Sequence, residues 1–352
     1  MNRAARSAAR SRFFGCNKMY EKDIFFKALL ANVDSSILEV DFLEHGFDVE
    51  CISAYDGIDL ISRIGPNPNK SFLRTDLENV YNCIDRSKNP RGDMYFFSGT
   101  FEDLDSAKIK VKDYLEPVVK LMRLFKENSI NISMGYYYSN DGLVPINPSP
   151  STRSSYFEEK TAPIGQSFTL YPFIYRNSND DIYSLESYEI PVLRSFIEDI
   201  IAQNEDPTLR DSILKIAYDM YDLSYYVPST PQALLNLMIS LEALFNPSGG
   251  GELRYRISRN VAVLIGNDKD ESKHIYKYIK NIYMKRSNLV HTGKVSSRST
   301  EDVFRIEELL KLRDYVRRSI IKFNEFIAKN PGKKKAALLE ILEYSDFGES
   351  PC

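Results

Sequence analysis

The sequence predicts an α+β N-terminal domain followed by an all-α helical-bundle C-terminal domain. Three observations lead to this division. Apolar and polar residues alternate in the first half, as in half-buried strands, and a helical period starts at about Ser187. The net charge also changes sign between the two halves. We therefore expect a disordered basic tail at 1–20, an α+β domain of unknown sensory or regulatory role at 21–180, and a helical domain at 187–345.

The α+β domain is expected to hold strands on either side of one long helix. Alternation and composition predict five strands, at Ser36–Leu43, Phe47–Ala54, Met94–Phe101, Ile130–Tyr138 and Gln166–Tyr175. A helical period over Asp105–Asn128 contains Pro117, which is expected to kink that helix. Residues 140–155 are rich in Pro, Ser, Asn and Gly and predict a loop. His45, in the turn between the first two strands, is interpreted as structural.

The helical domain shows repeated start and stop signals. Asp206 precedes a proline and Ser229 precedes Thr-Pro, and both patterns predict a helix start. Gly266 and Gly293 are expected to end two helices, the first of them as a C-cap, and a Pro-Gly pair at 331–332 is expected to end a third. The helices predicted after the Ser229 start include Leu253–Ile265, Glu271–Val290, a long helix from Thr300, and Lys333–Tyr344.

Charge is unevenly distributed along the chain. Between Glu252 and Lys335 there are 21 Lys or Arg residues and 10 Asp or Glu residues, a net charge of +11. The whole chain carries −3, so the remaining residues carry −14. Such segregation favours contact between the basic part and a polyanion, here RNA. The alternative is that the basic face packs on the acidic domain or on a second subunit.

The composition argues against several classes of protein. No run of eighteen apolar residues occurs, so neither a transmembrane helix nor a membrane partner is expected. The cysteines at 16, 51, 83 and 352 form no CxxC pair, and no metal site is expected. Scattered cysteines fit reduced thiols in a cytoplasmic protein. The glycines form no phosphate-binding loop, and no cofactor is expected.

One short motif, Arg286-Ser-Asn-Leu-Val-His291, is the candidate for catalysis. Histidine can move a proton near neutral pH, and arginine can hold a phosphate through two hydrogen bonds. Residues five apart on a helix point about 140° apart. The pair therefore suits a helix that ends at His291, or a second protomer that supplies the missing group, with Leu289 and Val290 buried. The alternative is structural: a salt bridge for Arg286 and a carbonyl contact at the helix end for His291.

Three segments of the helical domain stand in a specific order and spacing. They are a Leu-Glu-Ala-Leu helix at Leu234–Phe245, a Tyr-Arg helix closed by glycine at Glu252–Gly266, and an Arg-x4-His helix end at Ile282–Gly293. Together these segments resemble the Apea-like branch of the HEPN superfamily. The resemblance covers residues 229–329, under a third of the chain, and does not include the N-terminal domain.

The resemblance implies a small helical bundle that forms a homodimer. Many HEPN proteins are metal-independent endoribonucleases in phage defence, toxin–antitoxin pairs or RNA processing. By position, Arg286 and His291 would be the catalytic pair, meeting across the dimer. The residue after the family's motif arginine is commonly Asn, His or Asp. Here Ser287 stands there and Asn288 follows, so the polar helper is not assigned to one of them. Gly293 stands where a tyrosine would complete the Arg-x4-His-x-Tyr form.

Further residues complete the predicted site. Glu242, on an otherwise apolar helix, is expected to hold Arg286 or Arg256 in place. RNA would be bound by basic side chains, namely Arg254, Arg256, Arg259 and Lys285. We therefore expect a HEPN-type endoribonuclease that leaves a 2′,3′-cyclic phosphate. The alternative is a non-catalytic HEPN dimer that binds RNA or another protein.

Overall fold

A computed structural model describes residues 23–64, 80, 83–85, 92–139, 160–162, 165–168, 182–204, 213–227, 229–246, 252–292, 305–333 and 335–350. An antiparallel sheet forms the centre of the N-terminal part, and the C-terminal part is mostly helical. The predicted tail at 1–20, the predicted loop at 140–155, Asp206 and Gly293 lie outside these residues. None of the described helices is long and apolar enough to cross a membrane.

The N-terminal part contains one sheet of six described strands. In chain order they are β1 Ile24–Ala31, β2 Asp48–Ser53, β3 Asp93–Phe101, β4 Asn131–Ser139, β5 Lys160–Ala162 and β6 Gly165–Phe168. They lie in the order β2-β3-β1-β4-β6-β5, and all neighbours run antiparallel. β1 is paired on both edges and mostly buried, which explains its nearly continuous apolar sequence. β6 begins the strand predicted at Gln166–Tyr175, of which residues 169–175 lie outside the described range.

Three predicted strands are confirmed, at Phe47–Ala54, Met94–Phe101 and Ile130–Tyr138. The strand predicted at Ser36–Leu43 is wrong, because two short 3-10 turns occupy Ser35–Glu39 and Leu43–His45. The side chain of Asp34 accepts a hydrogen bond from the backbone N–H of Ser36, which starts a turn instead of a strand. The buried residues here, Ile37, Val40 and Phe42, follow at spacings of three and two, so they do not keep the period of a strand.

Helices cover both faces of the sheet. α1 (Ala54–Ile64) packs on one face, and α2 (Leu104–Lys110) and α3 (Glu116–Phe125) pack on the other. α2 and α3 together correspond to the single helix predicted at Asp105–Asn128, since the backbone stays helical from Leu104 to Phe125. A π-helical turn separates them directly before Pro117, where the sequence predicted a kink. Because proline lacks an N–H and crowds the preceding turn, the regular hydrogen-bond ladder is interrupted at this point.

The C-terminal part is built from seven described helices. They are α4 Glu189–Asn204, α5 Ile213–Leu223, α6 Thr230–Phe245, α7 Leu253–Ile265, α8 Lys269–Thr292, α9 Ile306–Lys329 and α10 Lys335–Tyr344. Ser229 caps α6 as predicted, since its side chain accepts a hydrogen bond from the N–H of Gln232. The start predicted for α9 at Thr300 is wrong. The backbone N–H of Arg305 donates to the Glu308 side chain, and this contact fixes the start at Ile306.

One hydrophobic core runs through both parts of the chain. It joins Phe26 and Phe97 of the sheet to Val118 of α3, Leu237 of α6 and Phe323 of α9. A smaller cluster lies between the opposite face of the sheet and α1. The sheet, its covering helices and the helical part therefore pack as adjacent layers.

A buried arginine fastens the sheet part to the helical part. Arg123 of α3 has no exposed side-chain surface, and it donates a hydrogen bond to Oδ1 of Asp222 at 2.5 Å. Asp222 lies on α5. Arg123 also donates to the carbonyl of Ile130 at 2.6 Å and to the hydroxyl of Tyr226. Lys120 Nζ lies 3.6 Å from Asp222 Oδ2. Since a buried charge is costly without a partner, this junction depends on the Asp222 carboxylate.

Candidate functional site

The turn between α7 and α8 fixes the start of the helix that carries the motif. Gly266 caps α7 with a φ of −78°, so it does not adopt the left-handed C-cap conformation that a terminal glycine suggests. A Cβ at this position would lie 2.1 Å from Ser272 Oγ and 2.7 Å from the carbonyl oxygen of Ala262. Glu271, in the first turn of α8, pairs with Arg318 of α9 at 2.9 Å. Close packing and this ion pair therefore hold α8 against α7 and α9.

One face of α8 is buried along most of its length. Ser272, Ile275, Ile279 and Ile282 follow at spacings of three and four residues, and all four are fully buried. The next position in this spacing is Arg286, whose side chain is 24% exposed. The motif arginine thus occupies a core-facing position at the end of an apolar stripe, where its charge requires a partner.

Glu242 of α6 is the partner of Arg286. Glu242 Oε1 lies 3.4 Å from Arg286 Nη2, and the Glu242 side chain is 19% exposed. This separation is long for a charge-assisted hydrogen bond. Among the described residues, no hydrogen-bond partner contacts Glu242 Oε1 or Arg286 Nε. The sequence left two partners open for Glu242, and the structure brings it to Arg286, while Arg256 lies 3.4 Å from Glu343.

Tyr283 belongs to the same group, although the sequence motif did not single it out. The guanidinium of Arg286 lies 5.8 Å from the centre of the Tyr283 ring. Burial, followed by the Glu242 charge, raises the pKa of Tyr283, so the phenol stays protonated. The spacing of three residues from Arg286 was the available signal, because such residues share a helix face. We call Glu242, Tyr283 and Arg286 the arginine cluster.

His291 lies apart from the arginine cluster of its own chain. It is exposed, and α8 continues past it to Thr292, so the helix does not end at His291. Over five residues a continuous helix turns by about 140° and rises by about 7.5 Å. The expected burial is wrong for Val290, which is 51% exposed, and Leu289 is half-buried. Leu289 continues the buried stripe, whereas Val290 falls beside it.

The residues next to Arg286 differ in their surroundings. Ser287 is half-buried and Asn288 is exposed. Lys285, predicted to bind RNA, donates to both carboxylate oxygens of Glu308, at 2.8 and 2.9 Å. Its side chain is 14% exposed. This ion pair connects α8 to the first turn of α9, and the Lys285 ammonium is therefore already bound to a carboxylate of its own chain.

The three arginines predicted to bind RNA also have different environments. Arg254 is exposed on the first turn of α7. The side chain of Arg256 is 32% exposed and lies 3.4 Å from Glu343. Arg259 donates to two backbone carbonyls at the end of α10, at 2.6 and 2.7 Å. Arg259 therefore satisfies a helix C-terminus, which makes Arg254 the best placed of the three to contact a ligand.

Comparison with known proteins assigns no family to this chain. No family model, curated protein or solved structure matches it. Within the described residues, no group of three or more His, Cys, Asp and Glu side chains is arranged to hold a metal ion. The interpretation of the site therefore rests on the arginine cluster and on the position of His291.

Proposed function

We propose that this protein is a metal-independent endoribonuclease of HEPN type, whose active site combines Arg286 of one protomer with His291 of a second. The observation that carries the proposal is the position of the two side chains on one continuous helix. Arg286 faces Glu242 of α6, whereas His291 is exposed about 140° around α8. A two-fold axis near the end of α8 would bring the arginine of each chain to the histidine of the other, forming two equal sites.

The arginine cluster supports a catalytic role for Arg286. The Glu242 carboxylate and the Tyr283 ring lie against the guanidinium before any substrate arrives. A preorganised cation stabilises the charge that develops on a reacting phosphate, without reorganisation during the reaction. The ion pair with Glu242 uses only part of the donor capacity of a guanidinium, which has five N–H groups. Arg286 can therefore keep its support while it binds a phosphate oxygen.

The proposed reaction uses the nucleophile that RNA itself carries. The ribose 2′-oxygen attacks the adjacent phosphorus, and the bond from phosphorus to the 5′-oxygen breaks. His291 accepts the 2′-hydroxyl proton or donates a proton to the departing 5′-oxygen, and water takes or supplies the other proton. Arg286 balances the charge on the phosphorane-like transition state. The products are a 2′,3′-cyclic phosphate and a 5′-hydroxyl, and DNA, which lacks the 2′-hydroxyl, is not cut.

A non-catalytic HEPN dimer that binds RNA or a protein is the second candidate. The observation that favours it is the engagement of the basic side chains within the chain. Arg286 pairs with Glu242, and Lys285 and Arg259 bind Glu308 and the end of α10. In such a module these residues would stabilise the bundle, and the dimer would present its outer face to a partner.

Cleavage in the presence of a chelator separates the two candidates. The purified protein should cut single-stranded RNA in excess EDTA as fast as in Mg²⁺, because neither proposed group needs a metal. Mass spectrometry of the fragments should find the 2′,3′-cyclic phosphate.

The matched control is the same oligonucleotide with a single 2′-deoxynucleotide at the cleaved position, which should stay intact there. Cleavage that stops on chelation, or that also occurs at the 2′-deoxy position, would contradict the proposed mechanism. RNA that is bound but not cut would favour the non-catalytic dimer.

A further inference from the structure

A cavity of about 580 Å³ opens at one end of the N-terminal sheet. This volume lies in the range of small-molecule sites. α1 covers part of one sheet face, where Ile61 belongs to the same buried cluster as Leu29 and Met94. Side chains from further along that face line the cavity, because side chains two residues apart on a strand share a face. The cavity belongs to the part of the chain expected to sense or regulate.

Strand register places two aromatic side chains, Phe25 and Tyr138, side by side on the cavity wall, and we call this pair the aromatic rung. Tyr138 of β4 lies opposite Phe25 of β1, and Phe25 lies opposite Thr100 of β3. The rings of Phe25 and Tyr138 are stacked, with centroids 5.6 Å apart and planes 29° apart. Burial, followed by the charge of Glu50, raises the pKa of Tyr138 to about 12. The tyrosine is therefore neutral at physiological pH, and the rung offers an uncharged aromatic surface of two rings.

A polar rung lies two residues further along the same strands. Lys27 of β1 lies opposite Ser98 of β3, and Ser98 lies opposite Asp48 of β2. Lys27 also forms an ion pair with Glu50 of β2. The two rungs are about 6.8 Å apart along the strands. The polar rung thus places the Lys27 ammonium, a donor, near the carboxylates of Asp48 and Glu50, which are acceptors. A single planar ligand can span the distance between the two rungs.

The geometry points to a guanine-binding site in this cavity, with guanosine as the ligand. The base stacks on the Phe25–Tyr138 pair, as bases do on aromatic side chains in nucleic-acid-binding proteins. Its O6 accepts a hydrogen bond from the Lys27 ammonium, which has three donors. Its N1–H and N2–H groups donate to the Asp48 carboxylate, which is exposed at the cavity. This inference is independent of the proposed nuclease.

Charge favours a nucleoside over a nucleotide. Lys27, Asp48 and Glu50 together give the cavity a formal charge of −1. The ammonium that could attract a phosphate is already paired with Glu50. Two carboxylates on one strand would repel a phosphate, whereas they attract the N–H edge of a base. Guanosine monophosphate should therefore bind more weakly than guanosine.

Isothermal titration calorimetry on the full chain tests this assignment with guanosine, adenosine, cytidine and guanosine monophosphate. Guanosine should bind at least about tenfold more tightly than adenosine and cytidine, because only guanine combines the required acceptor and two donors. It should also bind more tightly than guanosine monophosphate, because the two carboxylates repel the phosphate. Failure of guanosine to bind at roughly 1 mM, or equal binding of all four compounds, would overturn the assignment. The measurement reads binding without RNA cleavage, so its outcome is separate from that of the nuclease test.

Three variants locate the binding site. Tyr138→Ala should weaken guanosine at least about tenfold, because stacking on an aromatic side chain is lost. Tyr55→Ala is the matched control, since Tyr55 is 84% exposed and lies outside the cavity lining. This variant should bind guanosine with the affinity of the wild type. Thr100→Trp places an indole beside the Phe25–Tyr138 pair from an exposed strand position, which should block stacking of the base and abolish binding. Binding that survives Thr100→Trp in a folded protein would refute this location.

Discussion

Arg286→Ala and His291→Ala are each expected to slow RNA cleavage by at least about a hundredfold. General acid–base catalysis contributes about 10²–10⁴-fold to rates, and loss of one group that stabilises transition-state charge costs about 10²–10³-fold. Both side chains lie near the end of α8, one supported by Glu242 and the other exposed. The rates are measured by single-turnover cleavage of an end-labelled RNA in EDTA.

Matched controls come from residues of the same type away from the site. His274→Ala changes an exposed histidine on the same helix, and Arg194→Ala changes an arginine of α4 whose side chain is 42% exposed. Both should cleave at the wild-type rate. An equal loss in the controls would indicate a general effect on folding. A site variant with the wild-type rate would place the chemistry elsewhere.

Asp222→Ala is expected to lower the free energy of unfolding by about 3–5 kcal/mol, because it leaves the charge of Arg123 buried without its carboxylate. The side chains of Arg123 and Asp222 are 0% and 7% exposed, so water does not replace the lost partner. Urea denaturation followed by circular dichroism measures the loss.

Two further variants test this explanation. Glu325→Ala removes the carboxylate of a surface ion pair between Glu325 and Lys322, whose side chains are 43% and 44% exposed respectively. It should lower the free energy of unfolding by only about 0–1 kcal/mol. The double variant Arg123→Met with Asp222→Leu should recover most of the stability, because it removes both charges. A cost for Asp222→Ala no larger than that for Glu325→Ala would show that the junction does not depend on this ion pair.

The helices that carry the candidate site were well predicted from the sequence. The apolar stripe of α6, from Leu234 to Phe245, and the stripe of α8, from Ile275 to Ile282, are regular, and both helices were found. A stripe at helical spacing is a local property, so it can be recognised without knowledge of the fold. The start of α9 was misplaced by six residues because Thr300 is a favoured cap, whereas the observed cap at Arg305 depends on the Glu308 side chain.

The N-terminal sheet was only partly predictable. β1 was not predicted, because a strand buried on both faces loses the period of two. The order of the strands follows from pairing between distant segments, for example β1 with β4, which no local pattern records. The cavity between the two rungs was therefore invisible in the sequence, since Lys27, Ser98 and Asp48 meet only through strand register.

The candidate site shows the same division between local and distant contacts. The motif gave Arg286 and His291, and its helical spacing already indicated that the two side chains diverge. Contacts between distant segments were harder to predict. Arg259 was assigned to RNA because its acceptors are backbone carbonyls more than eighty residues away, which carry no sequence signature.

Mixing the two inactive variants tests the composite site most directly. In a two-fold dimer, a mixed pair of Arg286→Ala and His291→Ala chains has one site that lacks both groups and one site that is intact. Random exchange makes about half of the dimers mixed, so an equal mixture should recover roughly a quarter of the wild-type cleavage rate. Native mass spectrometry confirms that mixed dimers have formed. If mixed dimers are present and the mixture stays as inactive as each variant alone, Arg286 and His291 do not meet across the dimer.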